Sequence, residues 1–558
     1  MRKKHSRSAN VGSGTEGAPP RAHWLTLGIL AAGLGMIVLD GTIVGVALPD
    51  IIRDLGMTLT NAEWVNSLYA VVVGALLLAT GNLADRWGRR NLFLVGMIIF
   101  VAGSIFAGFT RTSGLLLAAR AVQAVGAAAI MPSTLSTVNA LFRGRYRAMA
   151  FGIWGAVISG AAAIGPLAGG ALTQWASWRW IFFVNIPIGA LLLVGTVLWV
   201  PETRGGPQKS FDYLGFVLSS IGLGSLVFAI IEGPRAGWWK PKADFSIFGA
   251  TWPADAALSI VACAFALAIV TLGTFIWWES HRIGIDRSAL LDLRLFHFPT
   301  FSWGNLTAAM VAVGEFALLF VLPLYLVNVL GLSVMGAGVI LAAMALGAFA
   351  SGAMARHIAG SLGSPGTVIL GLSLEVVGVV ALSVITTATI AGWALTIPLA
   401  VYGLGLGLAS AQLTGTILHD VPVEQSGQGS ATQSTVRQVG SALGTAFSGT
   451  ALSVILAKTL PRALGRAGVP GEEIGKLAEM TRVSAGSNLM ALRQQAGPEA
   501  EETLNALTQG FSDGVRGSML TSAAFLLIGL LGSLIVYRAA RKEAALDSSP
   551  ELDRLSPI

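Results

Sequence analysis

Apolar stretches of about twenty residues recur along the whole chain, and each is long enough to cross a bilayer as a helix. They fall near 24–48, 62–82, 91–110, 114–140, 148–172, 179–200, 212–231, 256–278, 300–322, 336–355, 367–388, 393–418, 430–457 and 517–538. In hydrocarbon a spanning segment must satisfy its own backbone, which leaves helices or a closed barrel, and runs of this length select helices. The expected class is an all-α polytopic membrane protein with 14 transmembrane helices. Charged residues make up 12% of the 558 positions, about half the share of a soluble protein. The net charge of +7 is not a nucleic-acid signal, because the basic residues sit in short clusters between apolar runs, where they set topology.

Several function classes drop out. Cys263 is the single cysteine, so there is no disulfide framework and no cysteine metal site. His281, His297, His357 and His419 fall in separate loops without metal-ligand spacing. No phosphate-binding loop ending in Lys-Ser or Lys-Thr is present, which disfavours ATP-driven transport. An enzyme is not expected, nor a metal or cofactor.

Orientation follows from the basic residues. Arg86, Arg89 and Arg90, then Arg143, Arg145 and Arg147, then Arg282, Arg287 and Arg294 fall in alternate loops. The positive-inside rule places these loops, and both termini, in the cytoplasm. The basic start (Arg2, Lys3, Lys4) resembles a signal peptide, but its apolar run is too long and Ala47-Leu48-Pro49 is a poor cleavage site. An uncleaved first span is expected. Residues 279–299 are expected to include an amphipathic helix on the inner surface, and 458–515 a small helical hairpin outside the membrane.

Charge inside a span is costly and marks ion or substrate pathways. Asp40 lies about 12 Å inside the end marked by Pro49, and Arg120 of the fourth span about 9 Å below the same face. The two can share one depth. Burial disfavours a charged carboxylate and a nearby cation favours it, so a proton on Asp40 can be gained and lost with conformation. Glu315 sits mid-span in the ninth helix as a further acid, fit to attract a cation or carry a proton. Glu375 and Arg437 fall at similar depth from the inner face and are expected as a structural pair. Asp212 is expected to cap the seventh span, and Glu232 to end it in solvent.

Gly81-Asn82-Leu83-Ala84-Asp85-Arg86-Trp87-Gly88-Arg89-Arg90 joins two spans through a tight, charged reversal. In this spacing it resembles the signature loop of the major facilitator superfamily. Arg120 to Gly126 resembles that superfamily's second motif, with Ala124 where Gly is common. Gly155 to Gly170, through Gly165, Pro166 and Gly169, resembles its antiporter motif. Leu39 to Pro49, Trp178 to Gly189 and Arg437-Gln438-Val439-Gly440 resemble the fourteen-span drug:proton antiporters. Gly352 to Arg356 is a degenerate echo of the signature loop, as related halves would leave.

The resemblance implies a major facilitator fold of two six-helix bundles plus two extra central spans. Its parts would be a cytoplasmic tail (1–23), an N-terminal bundle (24–200), the extra spans (201–278), the inner segment (279–299), a C-terminal bundle (300–538) and a second tail (539–558). Proton coupling is expected at Asp40 and Arg120, and substrate contacts at Gln123, Tyr325 and Gln412; Glu315, where the family usually has an uncharged residue, is expected in both roles as a feature of this protein. A conformational lock would use Gly81, Asp85, Arg86, Gly88, Arg89 and Arg437. The glycines of the fifth span and Gly336, Gly338, Gly347 and Gly352 of the tenth offer thin faces that should meet at the gate between halves. The expected function is export of amphipathic, often cationic drugs across the cytoplasmic membrane by alternating access, driven by the proton gradient. Protons, lipids and a small substrate are the expected partners of a monomer. Export of an endogenous lipid or metabolite is the nearer alternative, and a non-transporting membrane sensor the more distant one.

Overall fold

The computed structural model describes residues 19–142, 144–204, 212–247, 250–285, 287, 289–422, 426–495 and 498–547. The first half contains α1 (Arg21–Leu55), α2 (Leu59–Trp87), α3 (Arg89–Gly108), α4 (Ser113–Leu141), α5 (Gly144–Trp175), α6 (Trp180–Phe183) and α7 (Asn185–Trp199). Next come α8 (Tyr213–Ala236) and α9 (Ile260–Gly284), joined through a short antiparallel pair, β1 (Phe245–Ile247) and β2 (Ala250–Trp252), with Phe245 opposite Trp252. The second half contains α10 (Pro299–Leu324), α11 (Val334–Ile385), α12 (Thr396–Ile417), α13 (Ser426–Arg466), α14 (Gly471–Val483), α15 (Asn488–Gln495) and α16 (Pro498–Asp547).

Among the described residues, 11 helices are long and apolar enough to cross a membrane, α6 and α7 counting as one. α2 and α5, of 29 and 32 residues, are outside that number. The 52 residues of α11 form two arms, because Gly363 takes φ 73° and ψ 162°. Glycine tolerates that left-handed region without a Cβ clash, and Pro365 fits the first turn of the second arm. Large apolar side chains such as Leu191, Val194, Leu198 and Ile269 are exposed around the outside, as suits a lipid-facing surface.

Local signals explain the helix ends. Gly56, at φ 59°, ends α1, and the Thr58 hydroxyl accepts from the Asn61 N–H at 3.2 Å to start α2. Asp212 caps α8 by accepting from the Gly215 N–H at 2.9 Å. It also accepts from the Trp278 indole at 2.9 Å and faces Arg282 at 3.3 Å, clasping α8 to α9. Asp212→Ala is expected to cost about 1 kcal/mol for the cap alone, more with the clasp, read as a lower Tm of the purified protein.

Two expectations need correction and a third needs refining. Glu232 is buried, not solvated: it accepts from the Trp64 indole at 3.0 Å and faces Arg235 at 3.6 Å. The inner segment carries no surface helix among its described residues. α9 runs on to Gly284, and a 3₁₀ turn at Leu293–His297 follows, because the Leu291 N–H bonds the buried Glu279 carboxylate at 3.2 Å and holds the chain against the bundle. In the segment 458–515, α13 and α16 extend past the predicted span ends, and α14 and α15 connect them. Buried Leu464, Leu489, Leu507 and Phe511 bind this cap to the C-terminal core.

The two halves meet toward the Pro49 end of the helices. α5 packs on α11: Gly338 lies against the Pro166 carbonyl, Gly170 against the Met335 backbone, and the Met335 N–H donates to the Gln174 side chain at 3.1 Å. Gly45 of α1 faces the Leu319 carbonyl of α10. The Ser67 hydroxyl of α2 donates to the Ala442 carbonyl of α13 at 3.2 Å. The expected thin faces are shared out, however. Gly165 and Gly169 seat Thr42 and Ile43 of α1, while Gly347 faces α12 at Ala400 and Leu404.

Candidate functional site

A buried polar cluster occupies the middle of the N-terminal bundle. Its centre is Asp40 on α1, which has 0% exposure. Asp40 Oδ2 accepts from Arg120 Nη1 of α4 at 2.5 Å. Asp40 Oδ1 accepts from Gln123 Nε2 at 3.2 Å and from Asn185 Nδ2 of α7 at 2.9 Å. Ser104 of α3 closes the ring, accepting from Gln123 at 2.8 Å and from Asn185 at 3.2 Å. Arg120 also donates to Gln123 Oε1 at 3.0 Å and to the Val65 carbonyl at 3.4 Å, and its guanidinium lies 4.2 Å from the Tyr69 ring centroid on α2.

Helix packing sets this geometry. A side chain at Gly103 would collide with the Gln123 backbone, and one at Gly126 with the Phe100 backbone. These glycines let α3 and α4 close until Ser104 and Gln123 touch. Arg120 and Gln123 are three residues apart and so share one face of α4. A buried charge is tolerable here because it is paired and its oxygens are filled by donors.

The cluster unites Asp40, Arg120 and Gln123. Gln123 is thus a hydrogen-bond partner of the carboxylate rather than part of an open lining. The structure adds Asn185, Ser104 and Tyr69 to the site. Asn185 offered a signal, an amide inside the apolar stretch 181–192, whereas a serine or tyrosine in a span is common enough to carry none.

A second charged pair lies in the C-terminal half. Arg437 Nη2 of α13 donates to Glu315 Oε2 of α10 at 3.3 Å. Glu315 is nearly buried, and Arg437 is half exposed. The described ion pair of Arg437 is therefore with Glu315 and not with the signature loop, nor with Glu375. Glu375 is fully buried on the second arm of α11, and neither carboxylate oxygen has a hydrogen-bond partner among the described residues. Tyr325 is buried, its hydroxyl donating to the Thr387 carbonyl at 2.6 Å. Gln412 is half-buried on α12 beside exposed Ala411 and Thr414.

The signature loop folds back on its own bundle. Gly88, at φ 109°, takes a backbone conformation that L side chains rarely adopt, and the Glu202 carboxylate lies against it. The Arg89 N–H donates to the Thr203 carbonyl at 3.0 Å, and its guanidinium to the Ser136 carbonyl at 2.9 Å. Arg90 donates to the Val197 carbonyl at 2.8 Å. Gly81 faces Pro132, and Arg86 is exposed. The side chain of Asp85 and the surroundings of Gly155 lie outside the described residues.

Comparison with known proteins agrees with this layout. The family model described as Major Facilitator Superfamily matches residues 30–445. The chain is 29% identical over 514 residues to the multidrug resistance protein Stp of Mycobacterium tuberculosis, covering 92% of this chain and 91% of that protein. It is 28% identical to the tetracenomycin C resistance and export protein of Streptomyces glaucescens, covering 96% and 95%. A crystal structure of a bacterial homologue of the human lysosomal transporter Spinster, inward-facing and occupied, superposes with a TM-score of 0.58 at 19% identity. That superposition covers 94% of this chain and 98% of the homologue. The buried carboxylate cluster thus sits in a known transporter scaffold, and the chain belongs to the major facilitator superfamily as a membrane transporter.

Proposed function

We propose that this protein is a proton-coupled antiporter that exports amphipathic, often cationic compounds across the cytoplasmic membrane. The observation that carries this reading is the Asp40 cluster, a carboxylate held inside the membrane by Arg120, Gln123 and Asn185. The names of the related proteins, a multidrug resistance protein and an antibiotic resistance and export protein, support the substrate class. Fourteen spans fit if α2 and α5 cross the membrane and the two arms of α11 cross separately. With the arginine-rich loops in the cytoplasm, the Pro49 end faces outward and both termini lie inside. The halves are in contact at that outer end, as an inward-facing state requires.

In this reading the proton and the cargo compete through conformation. A proton arriving on Asp40 discharges the ion pair with Arg120 and weakens the tie between α1 and α4. Its O–H then needs an acceptor. Asn185 Oδ1 is buried without a hydrogen-bond partner among the described residues, and a half-turn of that amide would supply an acceptor. Each pH unit contributes about 1.4 kcal/mol per proton, and a 100 mV potential about 2.3 kcal/mol per charge moved. One or two protons therefore support roughly 10²- to 10⁴-fold accumulation. No cofactor is needed beyond that gradient, and one chain contains both charged centres, so a monomer suffices.

Glu315 and Arg437 form the cargo side of the reading. A cationic compound can displace Arg437 from Glu315, and a neutral one cannot. Gln412 would contribute a contact on the same half, whereas Tyr325 and Gln123 are buried and bonded within the protein. Glu315→Gln is expected to reduce transport of ethidium about tenfold, a loss of about 1.4 kcal/mol, and to leave neutral compounds little changed. Transport assays in everted vesicles check this; equal retention of both classes excludes the role. The lock would be the Gly81–Arg90 loop.

A further inference from the structure

Among the buried carboxyl groups that the transport scheme leaves unused, Glu63 and Glu232 both lie where α2 contacts α8 and α13. Glu63 is on the first turns of α2, 2% exposed, and its Oε2 has no hydrogen-bond partner among the described residues. Its side chain lies flat on Gly449 of α13, where a Cβ would collide with the Glu63 carboxyl group. From α8 comes Glu232, which accepts from the Trp64 indole at 3.0 Å and faces Arg235 at 3.6 Å. α8 is tied to α13 through the Thr450 hydroxyl, which donates to the Ile230 carbonyl at 2.9 Å. From α14, Arg482 reaches down to Ser453 of α13 at 2.8 Å but is engaged by Glu479. No described cation pairs with Glu63.

A carboxylate sealed in an apolar seam without a partner is strongly disfavoured, whereas the neutral acid is tolerated. A second carboxylate nearby adds to the cost of charge. The contact also spans the two halves, since α2 and α13 must separate for the Pro49 end to open.

We propose that Glu63 is a second proton-binding site, distinct from Asp40, which must hold a proton for the seam at the Pro49 end to close over Gly449. When the seam opens, Glu63 releases its proton to water on that side, and it takes one back from the same water before the seam closes again. This proton gates and is not transported. Acid outside therefore favours closure, and the extra span α8 sets the threshold through Glu232. The proposal rests on the alternating-access reading above but not on the identity of the cargo.

The test uses the full-length protein in lipid nanodiscs with Cys263→Ser, and spin labels on Arg111→Cys and Thr389→Cys. Both positions are exposed at the Pro49 end, one on each half. Label distances are measured from about pH 5 to about pH 9, a range that brackets a buried carboxyl. The unmodified site should gain a longer distance as pH rises. Glu63→Gln should keep the short distance throughout, and Glu63→Asp should restore a pH response with a shifted midpoint. Glu232→Gln should move the midpoint to lower pH. Asp40→Asn should retain the response, so failure of proton-driven export and failure of this proposal read out separately. A response that survives in Glu63→Gln, that is absent from the unmodified site, or that disappears in Asp40→Asn would overturn it.

Discussion

Asp40→Asn is expected to abolish proton-driven efflux while substrate still binds. The amide cannot exchange a proton, so the gradient loses its point of attachment. The same change strands Arg120, which is 1% exposed and pairs with Asp40. Breaking a buried pair by removing one partner costs about 3–5 kcal/mol, so the variant should also unfold at a lower temperature. Loss of stability and loss of coupling can be separated. In Asp40→Asn/Arg120→Gln neither charge is left alone, and most of the folded stability should return. Transport should not. If the double variant recovered proton-driven efflux along with its Tm, the effect of Asp40→Asn would be structural only.

The second large effect is steric. Gly338 of α11 lies directly on the Pro166 carbonyl of α5, and nothing larger than hydrogen fits there. Gly338→Leu should leave each half intact and prevent the two from meeting at the Pro49 end. Overpacking of this kind costs about 1–3 kcal/mol, paid only in the closed state, so the equilibrium should shift roughly 10- to 100-fold toward opening. Cross-linking reads this out directly. The Met335 N–H bonds the Gln174 side chain at 3.1 Å, so Gln174→Cys and Met335→Cys on a Cys263→Ser background should cross-link readily. With Gly338→Leu added, cross-linking and efflux should fall together. Undiminished cross-linking would mean that this contact is not part of the gate.

Much of the architecture could be foreseen, because the bilayer leaves helices so few alternatives. The first span, the reversal around Gly81–Arg90 and the shared depth of Asp40 and Arg120 follow from helix rise and the cost of intramembrane charge, while helix packing makes the two meet. Depth decides less in the second half. Arg437 and Glu375 lie at similar depth, yet Arg437 turns to Glu315, because depth says nothing about which way a side chain points around its helix. Glu232 looked solvated at a span end, but the Trp64 indole from another helix covers it. Gly363 carries no signal of its own in the sequence: a break between two helical arms needs only one positive-φ glycine, and the chain holds 69 glycines. Asn185 and Ser104 complete the carboxylate's surroundings through contacts 145 and 81 residues apart in sequence, which no local pattern encodes.

The exchange of protons for cargo is tested most directly in proteoliposomes that carry a pH-sensitive dye in the lumen. An outward ethidium gradient is imposed, and lumenal pH is followed with and without an opposing proton gradient. Ethidium leaving through the protein should draw protons inward and acidify the lumen, an imposed proton gradient should accelerate its exit, and Asp40→Asn should show neither effect. Ethidium efflux without acidification, or an equal proton flux through Asp40→Asn, would contradict coupling at the buried carboxylate.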